Sequence, residues 1–172
     1  MDAPQFNKQI ISLRDQLFRL AKSILQNNDA AQDAVQDLNL KLWEKRSQLD
    51  EVENLPGFAM RSMRNLCTDA IRQNKEEAEI STEIMYEGLN PHQAVESVDM
   101  ATRIIILIDR LPELQRTVIK MRDVEGLEIS EIAYITNMNA NAVTVNLSRA
   151  RQKIRELILN EHKRVEEKVW RT

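Results

Sequence analysis

The stretch from Leu127 to Arg155, LEISEIAYITNMNANAVTVNLSRARQKIR, admits few folds. Its first half sets Ile129, Ile132, Ala133 and Ile135 on one face of a helix, and its second half does the same with Val143, Leu147, Ala150 and Ile154. Asn137-Met138-Asn139 breaks the two apart. Asn tolerates a left-handed backbone at a helix end, and Asn139 can cap the following helix with its side-chain oxygen. The pattern predicts a helix-turn-helix. Its second helix carries Arg149, Arg151, Lys153 and Arg155, with no acidic residue between Val145 and Arg155, so phosphate is the natural partner.

The rest of the chain reads as helical too. Leu, Ile, Ala, Glu, Gln and Arg recur at helical spacing without sustained alternation, and 172 residues with 42% apolar content can bury the core of one domain or of two small ones. The expectation is an all-α chain of two small helical domains joined by a linker, the second holding the helix-turn-helix. A single cysteine, Cys67, excludes an intrachain disulfide. With no signal-peptide pattern and no apolar run near the roughly 20 residues that span a bilayer, the reading is a cytoplasmic protein without direct membrane insertion. A formal charge of -3 looks wrong for a nucleic-acid binder. The acidity is local, however: Glu76, Glu77, Glu79, Glu83, Glu87, Glu96 and Asp99 share one stretch without Lys or Arg, and without those seven charges the remainder stands at +4.

In chain order, Leu13, Leu17, Leu20, Ala21 and Ile24 make the stripe of a first helix that stops near Asn27-Asn28. A second is expected after Asp29 as N-cap, with Ala31, Ala34, Val35, Leu38 and Leu42 as its stripe. Off that stripe Asp33, Gln36, Asp37 and Leu40 share another face, which fits either a solvated surface with one stray Leu or a docking surface. Pro56 is placed to start a third helix through Phe58, Met60, Met63, Leu66, Ala70 and Ile71, decorated by Arg61, Arg64, Asn65, Arg72 and Lys75. Phe58 and the methionines read as core rather than as platforms for bases. From about Gln73 to Asp99 the helical period fails, as in an interdomain linker. Met100 to Asp109 is helical again, Pro112 opens a helix with Leu114, Val118, Ile119 and Met121, Gly126 ends it, and the tail from Asn160 reads as a charged helical extension.

On the second helix of the motif, Asn141, Thr144, Val145, Ser148, Arg149 and Gln152 fall opposite the buried stripe at spacings of three and four. Asn, Arg and Gln there can read base edges in a major groove and Val can touch a thymine methyl, while Arg151, Lys153 and Arg155 reach phosphates. A partner-binding or merely solvated helix fits the same spacing. Catalysis has little support. His92 and His162 lie in linker and tail, no metal-ligand spacing or phosphate loop is present, and Cys67 sits among apolar neighbours, so the chain reads as a non-enzyme without metal or cofactor.

Leu111-Pro112-Glu113-Leu114-Gln115-Arg116, Arg122 to Leu127, Glu131-Ile132-Ala133 and Leu147-Ser148-Arg149-Ala150-Arg151, with Lys153 and Arg155, resemble region four of bacterial sigma factors of the extracytoplasmic-function class. Asp33, Val35-Gln36-Asp37 and Leu40-Lys41-Leu42-Trp43 resemble the region-two helix that docks on the beta-prime clamp of RNA polymerase. Arg64-Asn65-Leu66, with Asp69 and Arg72, resembles the helix that opens and reads the minus-ten element. The resemblance implies a region-two-like domain over 1–75, an acidic linker over 76–99 that threads the RNA exit path as a mimic of RNA, and a region-four-like domain over 100–172. That second domain would read the minus-thirty-five duplex and sit on the beta flap. It implies core polymerase, promoter DNA and an anti-sigma factor as partners. Asp33, Gln36, Asp37 and Leu40 then bind polymerase. Arg61, Arg64, Asn65 and Arg72 act on DNA with the recognition helix, the melted base lying against Asn65 and the Asp50 to Gly57 loop. Asn137 stands where members often have Gly, Thr144 where Lys or Arg is frequent, and Phe58 and Met60 where Trp and Tyr are.

Two other readings fit parts of the sequence. A stand-alone helix-turn-helix regulator explains the basic helix but leaves Asp33, Gln36, Asp37 and the Arg61 to Arg72 helix without work. A purely structural helical adaptor leaves both basic helices unexplained.

Overall fold

A computed structural model of the chain describes the backbone of residues 1–80 and 100–169, with side chains described for 1–74 and 100–160. Eight α-helices follow in order among these residues: α1 Ala3–Ile10, α2 Arg14–Leu25, α3 Asn28–Glu44, α4 Leu55–Ile80, α5 Met100–Asp109, α6 Glu113–Ile119, α7 Ile129–Thr136 and α8 Ala140–Val169. No strand occurs among the described residues. The linker expected over 76–99 falls largely outside them, although α4 carries its backbone past the change in composition to Ile80.

The first half is built around α2, which packs on both α3 and α4. Leu17, Ala21, Ala31, Met60 and Met63 are wholly or almost wholly buried, as the stripes require, whereas on α4 the expected Phe58, Leu66, Ala70 and Ile71 are only half-buried and Ala59 and Cys67 complete the buried face instead. Burying each large apolar side chain contributes about 1.5–3 kcal/mol. Ahead of α2, α1 was not anticipated from periodicity. Asp2 and Gln5 form a reciprocal capping box there, and Phe6 meets Trp43 edge-on with ring centroids 5.1 Å apart. Leu13 lies in the short 3-10 turn before α2 and not within the helix.

Caps decide where helices start and stop. The N-cap of α3 is Asn27, whose side chain accepts the Ala30 N–H at 3.0 Å; Asp29 sits inside the first turn, where a carboxylate still favours the positive helix end. At α4, Asn54 accepts the Gly57 N–H at 2.9 Å, and a Cβ on residue 57 would lie 2.6 Å from the Asn54 amide nitrogen, so a side chain there would displace the Asn54 amide from its present position. Pro112 is the N-cap of α6 rather than a residue of its first turn. After α6 the chain makes one π-helical turn, Lys120–Val124, with the Glu125 N–H on the Lys120 carbonyl at 3.0 Å. Gly126 then closes it at φ +73, in the left-handed region.

The second half packs α6 on α8 and α7 on α8. Val118, Ile132, Ile135, Val143, Leu147 and Ala150 are buried between them. The tail is no separate element: its backbone continues α8 to Val169. The halves also touch, α2 against α6 and α4 against α7.

Candidate nucleic-acid and polymerase interfaces

The helix-turn-helix takes the geometry its asparagines dictate. Asn137 ends α7 in the left-handed region at φ 56 and ψ 36, where Gly or Asn is cheapest, and Asn139 accepts the Ala142 N–H at 2.7 Å to begin α8. Asn137 therefore does the work of the glycine common at this turn. With Val143, Leu147 and Ala150 buried, the helix has one orientation left, and Asn141, Thr144, Val145, Ser148, Arg149 and Gln152 are all exposed on its far side. Val145, 38% exposed, gives this polar row an apolar contact point. The Thr144 hydroxyl donates to the Ala140 carbonyl at 2.9 Å, and Gln152 donates to Glu156 at 3.2 Å.

The cations expected to reach phosphates differ more than their sequence suggests. Arg151 forks onto Asp123 at 2.5 and 3.1 Å, and that carboxylate raises the pKa of the guanidinium through the hydrogen bond and the charge it supplies. Lys153 lies 3.7 Å from Glu156, a loose pair. Arg149 and Arg155 have no side-chain partner among the described residues. Arg155 is thus unpaired among the described residues, whereas Arg151 is held by Asp123. Nothing in the sequence from Val145 to Arg155 marks that difference, because Asp123 stands 28 residues away.

On the first half, Asp33, Gln36, Asp37 and Leu40 are all exposed on one side of α3, and Leu40 shows 58% of its surface. Val35, Leu38 and Leu42 are buried on the other side. A Leu this exposed among two carboxylates and an amide suits a partner with an apolar spot inside a basic or polar rim. Gln36 also lines a shallow groove between α2 and α3 with Ile11, Arg14 and Phe18.

Along α4, Arg61, Arg64, Asn65 and Arg72 follow one face. Arg64 is half-buried, Asn65 and Arg72 are exposed, and Arg72 pairs loosely with Asp69 at 3.6 Å. Arg61 is engaged. Its guanidinium lies over the Tyr134 ring, 5.0 Å from the centroid, and donates to Asn137 Oδ1 at 3.3 Å. Met60 and Met63 are core, as expected, and Phe58 is packed against that core.

Cys67 is buried and its thiol is pushed up to about 12, by desolvation first and by the charge of Glu113 second. No group of His, Cys, Asp and Glu that could hold a metal ion occurs among the described residues. No described helix is long and apolar enough to cross a membrane.

Residues 10–77 match the family model of sigma-70 region 2, and residues 102–154 match that of sigma-70 region 4. The chain is 26% identical over 155 residues to the ECF RNA polymerase sigma factor SigW of Bacillus subtilis, covering 83% of each. It is 27% identical over 145 residues to the RNA polymerase sigma factor SigV of the same organism, covering 83% of this chain and 84% of that one. The sigma factor RpoE of Bartonella quintana, solved with the anti-sigma factor NepR, shares the fold at a TM-score of 0.75 and 23% identity, over 90% of this chain and 96% of its own. With regions 2 and 4 matched in order and relatives of one class spanning most of its length, the chain belongs to the extracytoplasmic-function sigma factors, which direct RNA polymerase to specific promoters.

Proposed function

We propose that this sigma factor divides its work among three surfaces. The Asp33, Gln36, Asp37 and Leu40 face of α3 binds core RNA polymerase at the beta-prime clamp. The Arg61, Arg64, Asn65 and Arg72 face of α4 handles the melted minus-ten strand. The exposed row of α8 reads the minus-thirty-five duplex, with Asn141, Thr144, Val145, Ser148 and Arg149 toward base edges and Arg151, Lys153 and Arg155 toward phosphates. Residues 1–75 then form the polymerase and minus-ten domain, 76–99 the linker and 100–172 the minus-thirty-five domain, which also meets the beta flap. The observation that carries this reading is the exposed row Asn141 to Gln152 standing directly behind a buried stripe, on a helix that turns basic where it would pass a backbone.

This role needs no bond-making by the protein, so we read it as a non-enzyme that acts in the cytoplasm where polymerase is found. An anti-sigma factor is a further partner, a reading supported by the fold shared with RpoE, itself solved with NepR. The test is recruitment. Asp37→Arg places a cation in a face built of carboxylates and is expected to weaken binding to core polymerase at least tenfold with unchanged helicity by circular dichroism. Wild-type affinity in that variant would remove α3 from the polymerase interface.

A further inference from the structure

A groove of about 800 Å³ runs along α8, where Thr144, Ser148 and Gln152 of the exposed row line it together with Arg122, Arg151 and Arg155. Arg122 belongs to the π turn, outside α8, and only the fold brings it to the helix. Hydroxyls, an amide and guanidinium groups are donors with which proteins hold a nucleic-acid backbone. Glu156 shares the lining, where it accepts from Gln152 at 3.2 Å and lies 3.7 Å from Lys153.

Two of these arginines carry a carboxylate of their own. Arg151 forks onto Asp123 at 2.5 and 3.1 Å, and Arg122 lies 3.0 Å from Glu128 while donating to the Leu127 carbonyl at 2.8 Å. Asp123 and Glu128 stand outside the lining, so each holds its arginine from beyond the groove. Their places are set by backbone. The Glu125 N–H on the Lys120 carbonyl at 3.0 Å, Gly126 at φ +73 and the Leu127 N–H on the Met121 carbonyl at 3.0 Å fix the turn that joins them.

A free cation at a phosphate displaces the ions condensed on DNA, and this release makes affinity fall with salt. An arginine that brings its carboxylate along presents no net charge, because the freed carboxylate takes up the ion that the phosphate gives off. We propose that Asp123 and Glu128 are built-in counterions of a backbone-phosphate site in this groove, with Arg122 as a further DNA contact, and that they keep duplex affinity low and weakly dependent on salt. The proposal rests on the reading of α8 as the duplex-binding helix. With the sequence-independent attraction damped, base contacts carry a larger share of the binding free energy.

The test uses the full chain and a fluorescein-labelled, random-sequence duplex of about 30 base pairs, followed by anisotropy between about 50 and about 300 mM salt. Asp123→Asn should steepen the logarithmic salt slope by about 0.9 and tighten binding about three- to tenfold at about 100 mM. Glu128→Gln should do about half as much, since Glu128 is 71% exposed and shares Arg122 with a carbonyl. Circular dichroism should be unchanged in both. In an Arg151→Ala chain, Asp123→Asn should change the slope by less than about half of that amount, because no guanidinium is freed. An equal gain with and without Arg151 marks general loss of negative charge and overturns the proposal, as do slopes unmoved in both carboxylate variants or an Asp123→Asn chain that binds no duplex at the lowest salt. Promoter-dependent transcription by wild type with core polymerase, alongside unmoved slopes, leaves the reading of α8 standing and removes the counterions. Steepened slopes without promoter-dependent transcription keep the phosphate site and remove that reading.

Discussion

Replacing Arg116 by Met probes the contact between the two halves where it is driest. Arg116 is 5% exposed, and its guanidinium donates to the Ser23 carbonyl at 2.5 Å and the Leu111 carbonyl at 2.9 Å, with longer contacts to Asp109 O at 3.3 Å and Ile24 O at 3.4 Å. Ser23 and Ile24 sit in the last turn of α2, whose carbonyls lack partners within the helix, and a cation there also meets the negative end of the helix dipole. Burial lowers the pKa of Arg116, an effect opposed by Asp109 and Glu113. Met fills most of the volume and removes the charge. Hydrogen bonds from a charged donor contribute about 1.5–3 kcal/mol each, and each carbonyl left bare costs about 1–3 kcal/mol, while several kcal/mol of charge desolvation is returned. The net expected loss is about 2–4 kcal/mol. Urea unfolding followed by circular dichroism should show a lower midpoint for Arg116→Met and a single transition broadened into two, because the halves lose their strongest tie. Arg116→Lys keeps the charge without the fork and should recover less than half of the loss. A midpoint and slope indistinguishable from wild type would mean that Arg116 does not couple the halves, and the bonding described above would carry no weight.

Two other outcomes follow from side chains whose surroundings differ from what their type suggests. Arg155→Ala should lower the salt dependence of binding to random duplex by about one unit of logarithmic slope. Arg151→Ala should lower it less, because Asp123 already holds that cation, and Asp123→Asn should tighten duplex binding; equal slopes for the two arginine variants would contradict the pairing. Cys67, with its thiol pushed up to about 12, should react with a maleimide at pH 8 only as fast as the chain unfolds. Because the folded chain holds this proton more tightly than the unfolded chain, whose thiols titrate near roughly 8.5, the contribution is fully present below that pH and is lost as pH rises toward 12. Rapid labelling of native protein would show that the thiol is not enclosed.

Much of this fold was legible because it is written in local terms. The stripes through Leu17 and Ala21, through Ala31 and Val35, and through Val143 and Leu147 are buried as their periods require, and Asn137 and Asn139 occupy the turn and the cap expected of them. The α1 helix was missed although its signal was present: Asp2 and Gln5 stand at capping-box spacing before Phe6 and Ile10. Asn27 and Asp29 can each cap by residue type, and only the backbone, extended at Asn27, distinguishes them. The π turn at Lys120–Val124 has no composition of its own. The pairings that matter most for the site lie far apart in sequence, 76 residues for Arg61 and Asn137 and 28 for Arg151 and Asp123, and periodicity carries no information at that range. Exposure of Asp33, Gln36, Asp37 and Leu40 followed from their place off the stripe, but exposure alone does not name a partner.

The central claim, that α8 reads the upstream element with the row running from Asn141 to Gln152, is tested most directly by promoter profiling of wild type beside Arg149→Ala. Arg149 is exposed and has no side-chain partner among the described residues, so its removal leaves the packing of α8 untouched. Loss of a bidentate contact to guanine should cost about 1–3 kcal/mol at promoters carrying the cognate upstream element and far less at a scrambled one. The expected result is a variant whose upstream consensus loses one position while its minus-ten consensus stands. An unchanged upstream consensus at unchanged strength would contradict the account.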